Sequence, residues 1–287
     1  MMNTQTSESG ASRTPRTAAR PGASRAKVAT PRAAAFFDLD GTLIPGSANI
    51  PFAKAAFKQG FVSKRQLLID LRNGISFVLK GATDERSAQV RDRILAAVAG
   101  QPAADVEALG SLFMDDLVAK LQPAMRTVLD EYGDKGLDRI VLSASPTEIV
   151  SRFAQLVGME MGVGTTSERD ADGIYTGRLA GPFCYREGKV EVMAQLADEY
   201  GYDLSASYAY SDSVSDLPML EAVGHPVAVN PEPELRQIAV ERGWPIVETA
   251  TVPRVPLKSV KGITRLTGSL ATAAATSLRG KLNRAIA

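Results

Sequence analysis

The stretch AAAFFDLDGTLIPGS, residues 33–47, constrains the fold of this chain more than any other part of the sequence. Five apolar residues lead directly into two acidic residues, Asp38 and Asp40, and then into a Gly-Thr pair typical of a turn. The apolar run predicts a buried β-strand. Aspartate is a poor strand residue, and two like charges at the end of a buried strand repel each other. A divalent metal ion is the usual compensation for such a pair.

Strand and helix patterns alternate along the chain from about residue 137 to residue 248. Short apolar runs such as RIVLSAS (139–145), SYAYSDS (207–213) and HPVAVN (225–230) are separated by helical patterns such as EGKVEVMAQLADEY (187–200). This alternation predicts an α/β fold, a Rossmann-like three-layer core in which helices cover both faces of a parallel sheet. We expect the strand that ends at Asp38 to belong to the same sheet.

Residues 48–132 have a different texture, because their apolar residues recur at intervals of three and four. They predict a helical cap that is inserted after the first strand, so the α/β core consists of residues 33–47 and 133–249. Within the core, the segment MGVGTTSERDADGIYTGRLAG, residues 161–181, predicts a β-hairpin of two short strands around an Asp-Gly turn.

Polar residues follow the predicted strands where each strand ends. In open parallel sheets, ligands bind beyond the carboxyl ends of the strands, so we expect these side chains to share one site. Ser145 is the exception, because its place before Pro146 is typical of a turn or a helix cap. The predicted site residues are, in chain order, Asp38, Asp40, Ser143, Lys189, Asp212 and Asp216.

Carboxylates, a hydroxyl and an ammonium together suit the hydrolysis of a phosphate monoester. A carboxylate serves as a nucleophile by forming an aspartyl-phosphate, although a carboxylate and a phosphate about 4 Å apart repel by ~4 kcal/mol at an effective dielectric constant of about 20. A magnesium ion and a lysine offset this repulsion. A second carboxylate protonates the leaving oxygen and later activates water. The sequence therefore predicts a Mg²⁺-dependent phosphoryl-transfer site.

These residues stand in the order of four known motifs. DLDGT at residues 38–42 and VLSAS at 141–145 resemble the first two motifs of the haloacid-dehalogenase-like phosphohydrolases. Lys189 resembles the third motif, and SDSVSD at 211–216 the fourth. The chain looks most similar to the subfamily that contains phosphoserine phosphatase, in which a helical cap follows the first motif, and GPFCYREGK at 181–189 adds to that likeness.

The resemblance implies how the acidic residues divide the chemistry. Asp38 is implied to be the nucleophile and a magnesium ligand. Asp40 is implied to be the general acid and base, and it also gives its main-chain carbonyl to magnesium. Asp212 completes the implied metal ligands.

The other implied roles concern the phosphoryl group. Ser143 hydrogen-bonds it and Lys189 stabilises its charge, while Asp216 orients Lys189 or a metal-bound water. Gly41 and Thr42 shape the turn that admits the phosphate.

Two positions depart from the family pattern. The fourth motif usually opens with glycine, whereas Ser211 precedes Asp212 here. Phosphoserine phosphatases place an acidic residue nine positions after the nucleophile to hold the amine of the substrate, and Ser47 stands there in this chain. Phosphoryl transfer tolerates both changes, but they count against phosphoserine as the substrate.

Charge is distributed unevenly along the 287 residues. The net charge of +1 is the sum of +5 in residues 1–32, −11 in residues 33–249 and +7 in residues 250–287. The Ser-, Ala- and Pro-rich composition of residues 1–32 predicts a disordered basic arm. Residues 250–287 predict a basic amphipathic tail, since Ile and Leu recur at helical intervals between Lys and Arg residues.

The sequence of the tail does not decide what the tail binds. A helix of this kind at residues 258–287 fits the surface of an anionic membrane, and it also fits docking on the acidic core. Nucleic acid is disfavoured, because the tails lack aromatic residues for base stacking. The chain has a single cysteine, Cys184, and no run of about 20 apolar residues, which together favour a cytoplasmic protein. The basic tail would allow such a protein to contact the membrane peripherally.

The sequence therefore predicts a Mg²⁺-dependent hydrolase of a small phosphorylated metabolite. The sequence leaves two alternatives open. One is a lipid-phosphate or lysophospholipid phosphatase at the membrane surface, suggested by the basic tail. The other is a non-catalytic, membrane-associated regulatory protein that keeps the fold.

Overall fold

The structure, a computed structural model, describes residues 32–60 and 98–249, together with residues 88, 89, 91, 92, 95 and 96. The strands in these residues are β1 (Ala34–Asp38), β2 (Asp138–Pro146), β3 (Met161–Thr165), β4 (Ser167–Arg169), β5 (Tyr175–Leu179), β6 (Tyr208–Ser211), β7 (His225–Val229) and β8 (Ile246–Val247). Six of them form one sheet in the order β3-β2-β1-β6-β7-β8, with every neighbouring pair parallel. β4 and β5 form a separate antiparallel pair.

Helices connect the strands of the sheet. Those with described bounds are α1 (Asn49–Lys58), α2 (Ala103–Ser111), α3 (Met114–Val118), α4 (Pro123–Asp134), α5 (Thr147–Val157), α6 (Glu187–Tyr200), α7 (Leu217–Glu221) and α8 (Pro233–Arg242). The three helices α1, α2 and α3 lie between β1 and α4, where helical segments are predicted from the sequence.

The first strand is apolar throughout because it is covered on both faces. Phe37 packs in one apolar cluster with residues of α4 and α5, and Phe36 packs in a second cluster with residues of α6, α7 and α8. Neither ring is exposed to solvent. Such two-sided burial is characteristic of a parallel sheet between helical layers. It confirms the predicted α/β three-layer fold.

Helix α4 packs directly on the sheet. The hydroxyl of Tyr132 lies 2.6 Å from that of Tyr210 in β6, and the Tyr132 ring tilts against Phe37 at a centroid distance of 6.4 Å. The helix begins at Pro123 and ends at Asp134, so it crosses the boundary predicted between residues 132 and 133.

The segment 161–181 contains three strands rather than the two predicted. β3 joins the main sheet beside β2, and only β4 and β5 form the hairpin. Glycines explain the difference, because β3 lies against backbone: a Cβ on Gly162 would stand 2.4 Å from the Val150 carbonyl oxygen, and one on Gly164 would stand 2.4 Å from that of Ser145. A strand with so few large apolar residues carries a weak sequence signal.

Both terminal predictions concern residues outside the described part of the chain. The basic arm at 1–32 is described only at Arg32, and the amphipathic tail at 250–287 is not described. Among the described residues, no helix combines the length and the apolar character needed to cross a membrane.

Candidate active site

Asp38, the last residue of β1, lies at the middle of one edge of the sheet. β1 is parallel to β2 on one side and to β6 on the other. Asp38 is aligned with Leu142 of β2, so Ser143 is the next residue at this edge. On the opposite side, Asp212 directly follows β6. The parallel order therefore brings residues that are more than 100 positions apart in sequence to the same place.

Lys189 enters this edge from the first turns of α6 and bridges two carboxylates. Its Nζ donates to Oδ1 of Asp38 at 2.7 Å and to Oδ2 of Asp216 at 2.8 Å. The Lys189 side chain is 2% exposed and that of Asp216 3%. Burial acts to lower the pKa of Lys189, but Asp216 and Asp38 together outweigh it and raise that pKa. Lys189 is therefore a fixed positive charge beside Asp38.

Asp38 lies in a surplus of negative charge. Burial raises the pKa of the Asp38 carboxyl well above its usual range, and Lys189 opposes this rise. Three neighbouring carboxylates raise the pKa further, and they belong to Asp216, Asp212 and Asp40. One lysine does not balance four carboxylates, so the site is electrostatically suited to a cation.

The donor atoms also suit magnesium. In the described part of the chain, no three or more His, Cys, Asp or Glu side chains form a metal-binding group by themselves. The ligand set predicted from the sequence contains only two side chains, the carboxylates of Asp38 and Asp212, together with the main-chain carbonyl of Asp40. Mg²⁺ prefers oxygen ligands and usually keeps several waters, so this set fits the ion.

Gly41 allows the turn after β1 to touch Asp212. Its φ is +93°, and a Cβ built on it would lie 2.1 Å from Oδ2 of Asp212. Any side chain at position 41 would therefore displace the Asp212 carboxylate. The neighbouring Thr42 is fully buried, and its hydroxyl lies 3.5 Å from Oδ1 of Asp212. The Gly-Thr pair thus shapes the loop against a predicted metal ligand.

The Asp40 carboxylate has its own set of hydrogen-bond donors, which differs from that of Asp38. The Ala48 N–H donates to Oδ1 at 2.8 Å. The hydroxyls of Ser47 and Ser145 donate to Oδ2 at 3.2 Å and 3.3 Å. Burial raises the pKa of Asp40 although these hydrogen bonds oppose it. Asp38 and Asp40 therefore occupy different environments, as two acids with different tasks require.

The end of β2 supplies two serines with different contacts. Ser143 is buried, and its hydroxyl accepts the N–H of Ser145 at 3.1 Å. Ser145 was predicted from its place before Pro146 to occupy a turn or a helix cap, but no side chain caps the N-terminus of α5. Its hydroxyl reaches Asp40 instead, because the strand continues to Pro146 and directs the side chain at the sheet edge.

The sequence did not reveal the contacts of two polar residues at the site. Ser211, which replaces the usual glycine of the fourth motif, donates its hydroxyl to Oδ2 of Asp216 at 2.7 Å. Gln122 is 2% exposed and donates its amide to the Thr42 carbonyl at 2.6 Å. Gln122 lies in the predicted cap, 80 residues from the loop it touches, so only the tertiary fold reveals the contact.

Comparison with known proteins agrees with this geometry. The family model of the haloacid dehalogenase-like hydrolases matches residues 35–221. The chain is 36% identical over 216 residues to the phosphoserine phosphatase SerB1 of Mycobacterium tuberculosis, covering 75% of this chain and 70% of that protein. It is 30% identical over 217 residues to a histidinol-phosphatase of Neisseria meningitidis, covering 74% of this chain and 97% of that protein.

A solved structure extends the likeness to three dimensions. A Bordetella pertussis protein of unknown function superposes with a TM-score of 0.66 at 32% identity, covering 76% of this chain and 99% of that one. The family match spans more than half of the 287 residues and includes all four predicted motifs. The chain therefore belongs to the haloacid dehalogenase-like hydrolases, and it is a phosphatase.

Proposed function

We propose that this phosphatase is a Mg²⁺-dependent phosphomonoester hydrolase that acts through an aspartyl-phosphate on a small phosphorylated metabolite. The observation that carries the proposal is the buried bridge of Lys189 between Asp38 and Asp216, at 2.7 Å and 2.8 Å. Lys189 bonds Oδ1 of Asp38, and no described residue that we observe donates to Oδ2. This second oxygen is the one that we assign to attack on phosphorus.

In the proposed reaction, Asp38 displaces the alcohol from the phosphoryl group. Ser143 and Lys189 hold the oxygens of that group, and Asp216 keeps Lys189 in place through the bond at 2.8 Å. Preorganised donors of this kind act most strongly where water is excluded, and the burial of Lys189 and Ser143 supports these roles.

Asp40 is the proposed general acid and base. It gives a proton to the leaving oxygen, and it later takes one from the water that hydrolyses the aspartyl-phosphate. Its raised pKa supports this assignment, because burial makes the protonated form accessible nearer to neutral pH.

Asp38, Asp212 and the main-chain carbonyl of Asp40 are the proposed ligands of magnesium. The ion would supply positive charge that offsets the repulsion between Asp38 and the phosphate, ~4 kcal/mol at about 4 Å and an effective dielectric constant of about 20. The contact of Asp212 with Gly41 supports this set, since it keeps the Asp212 carboxylate against the loop that follows Asp38.

The substrate class follows from what surrounds Asp40. Ser47 stands where the resemblance to phosphoserine phosphatases leads us to expect an acidic residue, and its hydroxyl is bonded to Asp40 at 3.2 Å. The position therefore offers no carboxylate to an ammonium group of the substrate. We infer that the chain accepts small phosphomonoesters without requiring an amine beside the phosphate. The named relatives, a phosphoserine phosphatase and a histidinol-phosphatase, also differ in substrate.

Since the chain is a phosphatase, the non-catalytic alternative falls, while the two membrane-surface predictions for a catalytic protein remain predictions. They rest on the basic tail at residues 250–287, which lies outside the described residues. Peripheral binding to anionic lipid, and a lipid phosphate as substrate, both depend on that segment.

Turnover of p-nitrophenyl phosphate tests the proposed mechanism. We expect Mg²⁺-dependent hydrolysis that EDTA abolishes and added Mg²⁺ restores. Asp38→Asn removes the nucleophile and should reduce kcat by at least about 10⁴-fold, because an amide does not form the acyl-phosphate. Rapid-quench detection of a base-labile phosphoenzyme would identify the intermediate in the unsubstituted enzyme.

Asp130→Asn is the matched control for Asp38→Asn. Asp130 is an exposed carboxylate on α4, so the same change there should leave kcat within about twofold of the unsubstituted enzyme. Circular dichroism of both variants checks that they are folded. Retained turnover in folded Asp38→Asn would contradict the assignment of the nucleophile.

A further inference from the structure

The Asp40 carboxylate is held by donors from two different parts of the chain. Ser145, at the end of β2, is fully buried and reaches Oδ2 at 3.3 Å. Ser47 and Ala48 precede α1, on the way into the inserted helices, and reach Oδ2 at 3.2 Å and Oδ1 at 2.8 Å. The two oxygens of Asp40 therefore have different kinds of partner.

This difference decides which oxygen bears a proton. The Ala48 N–H can only donate, and the carbonyl oxygen of a protonated carboxyl group is a stronger acceptor than its hydroxyl oxygen, so this bond favours Oδ1 as the carbonyl oxygen. Serine hydroxyls both donate and accept, so the two hydroxyls at Oδ2 tolerate the carboxylate as well as the carboxylic acid. A proton on Asp40 is therefore directed to Oδ2.

We propose that Ser47 and Ser145 are positioning residues that fix Oδ2 of Asp40 as the oxygen that exchanges the proton with the leaving group. This inference rests on the proposed function, in which Asp40 is the general acid and base. Neither serine touches the phosphorus; both act through Asp40.

Asp40 gives up a proton in the first half-reaction and regains one in the second. As the P–O bond to the alcohol breaks, its electron pair stays on the ester oxygen, and the proton of Asp40 Oδ2 moves to that oxygen. Asp40 becomes a carboxylate, which the two hydroxyls stabilise by donating to Oδ2. In the second half-reaction, water attacks phosphorus and the bond between phosphorus and the Asp38 oxygen breaks, which releases inorganic phosphate and the Asp38 carboxylate. Oδ2 of Asp40 takes a proton from that water, and the acid form returns.

The proposal names a substrate class. The oxygen of an alkyl phosphate leaves as a strongly basic alkoxide unless it is protonated, so hydrolysis depends on the acid. The p-nitrophenolate ion leaves readily without a proton. Serines that position the acid matter for alkyl phosphate monoesters, and they matter much less for p-nitrophenyl phosphate.

Ser145 also links two tasks at one strand end. Its N–H donates to the Ser143 hydroxyl at 3.1 Å, while its own hydroxyl donates to Asp40. The last residues of β2 thus set the distance between the serine assigned to the phosphoryl group and the acid assigned to the leaving oxygen.

The test compares two substrates in the full-length protein with Mg²⁺. Ser145→Ala and Ser47→Ala are assayed for kcat/KM with glycerol 2-phosphate and with p-nitrophenyl phosphate. General acid catalysis contributes about 10²–10⁴-fold, so we expect a loss of at least about 30-fold on glycerol 2-phosphate. The loss on p-nitrophenyl phosphate should stay below about threefold, since this leaving group needs little protonation.

Two further variants make the comparison sharper. Ser47→Thr keeps the hydroxyl at a partly exposed position, so it should restore the activity on glycerol 2-phosphate that Ser47→Ala loses. Ser151→Ala removes an exposed hydroxyl on α5 that donates to the Gly162 carbonyl, and its two kcat/KM values should match those of the unsubstituted enzyme.

Parallel losses on both substrates would overturn the proposal, because they indicate a structural role for the serines. Unchanged activity on both substrates in both alanine variants would overturn it as well. If Ser145→Ala is shown by circular dichroism to be unfolded, Ser47→Ala and Ser47→Thr decide the question alone. An unsubstituted enzyme without Mg²⁺-dependent turnover would instead overturn the proposed function and this inference with it, so the two failures are distinguishable.

Discussion

Gly41 shapes the site because it has no side chain. Its φ of +93° belongs to the left-handed region, and a Cβ would meet Oδ2 of Asp212 at 2.1 Å. The contact joins the loop after β1 to the residue after β6. Because position 41 has a hydrogen atom instead of a side chain, the first and fourth motifs can lie against each other.

Gly41→Ala should therefore damage activity more than stability. The left-handed φ costs about 1–2 kcal/mol for a residue with a Cβ, and the displaced Asp212 carboxylate should lower kcat/KM by about 100-fold. The loss of kcat/KM can be measured at several Mg²⁺ concentrations. We expect the variant to need a higher Mg²⁺ concentration than the unsubstituted enzyme for half-maximal activity.

Gly46 offers a matched control for this substitution. Its φ is +82°, and no atom lies within 4 Å of a Cβ built on it. Gly46→Ala should therefore carry a similar backbone cost in urea unfolding but keep kcat/KM within about threefold. Equal losses of activity in the two variants would show that strain, and not contact with Asp212, explains the effect.

At the scale of elements, a buried polar network ties three loops to the end of β1. The Gln122 amide donates to the Thr42 carbonyl at 2.6 Å, and its backbone N–H donates to the Leu43 carbonyl at 2.9 Å. Its side-chain oxygen accepts from Asn230 at 3.3 Å and from the Thr249 hydroxyl. The start of α4 and the segments after β7 and β8 therefore all support the loop that contains Gly41.

Gln122→Met should weaken this network while it preserves the side-chain volume. The buried Thr42 carbonyl loses the Gln122 amide. The partly buried Asn230 amide keeps the Thr249 hydroxyl as a partner. Loss of the buried partner costs about 1–3 kcal/mol in the free energy of unfolding. Urea denaturation measures it. Gln155→Met, at an exposed position on α5, is the control and should change that free energy by less than about 0.5 kcal/mol. A similar, small effect of both changes would contradict the importance of the network.

At the scale of the whole molecule, two apolar clusters enclose the sheet, and Cys184 lies inside one of them. The thiol is not exposed, and burial raises its pKa to about 12. The thiolate is the reactive form of cysteine, so the thiol is unreactive while this cluster is intact. Because Cys184 is the only cysteine in the sequence, its reactivity reports on the opening of the core.

Thiol labelling with a disulfide reagent at pH 8 should therefore be at least about a thousandfold slower in the native protein than in urea, where the pKa is about 8.5. The thiol of the unfolded protein ionises at lower pH than the buried thiol, so ionisation stabilises the unfolded state. The free energy of unfolding should therefore decrease as the pH rises above about 8.5. Ser207 is buried as well. If Ser207→Ala unfolds at a lower urea concentration than the unsubstituted protein, the Cys184 thiol of that variant should be labelled faster. Rapid labelling under native conditions would contradict the closed core.

Local patterns were enough to predict the elements that carry the motifs. The apolar run before Asp38 and the helix with Lys189 in its first turn were both predicted, and the left-handed Gly201 follows that helix in the structure. The strand β3 was missed as a member of the main sheet, because its glycines pack against backbone and leave no apolar period. Ser145 was assigned to a turn or a helix cap because it precedes Pro146, and its contact with Asp40, 105 residues away, could not be predicted from local sequence.

The sequence by itself determined the α/β class, the alternation of strands and helices apart from β3, and the types of residue available for phosphoryl transfer, because apolar periodicity and turn residues act over short distances. The tertiary structure alone decided that Lys189 bridges Asp38 and Asp216. It also decided that Gly41 touches Asp212 and that Gln122 supports the loop that contains Gly41. These contacts join residues that are 27 to 171 positions apart in the chain. Parallel pairing and burial, which act between distant segments, bring them together.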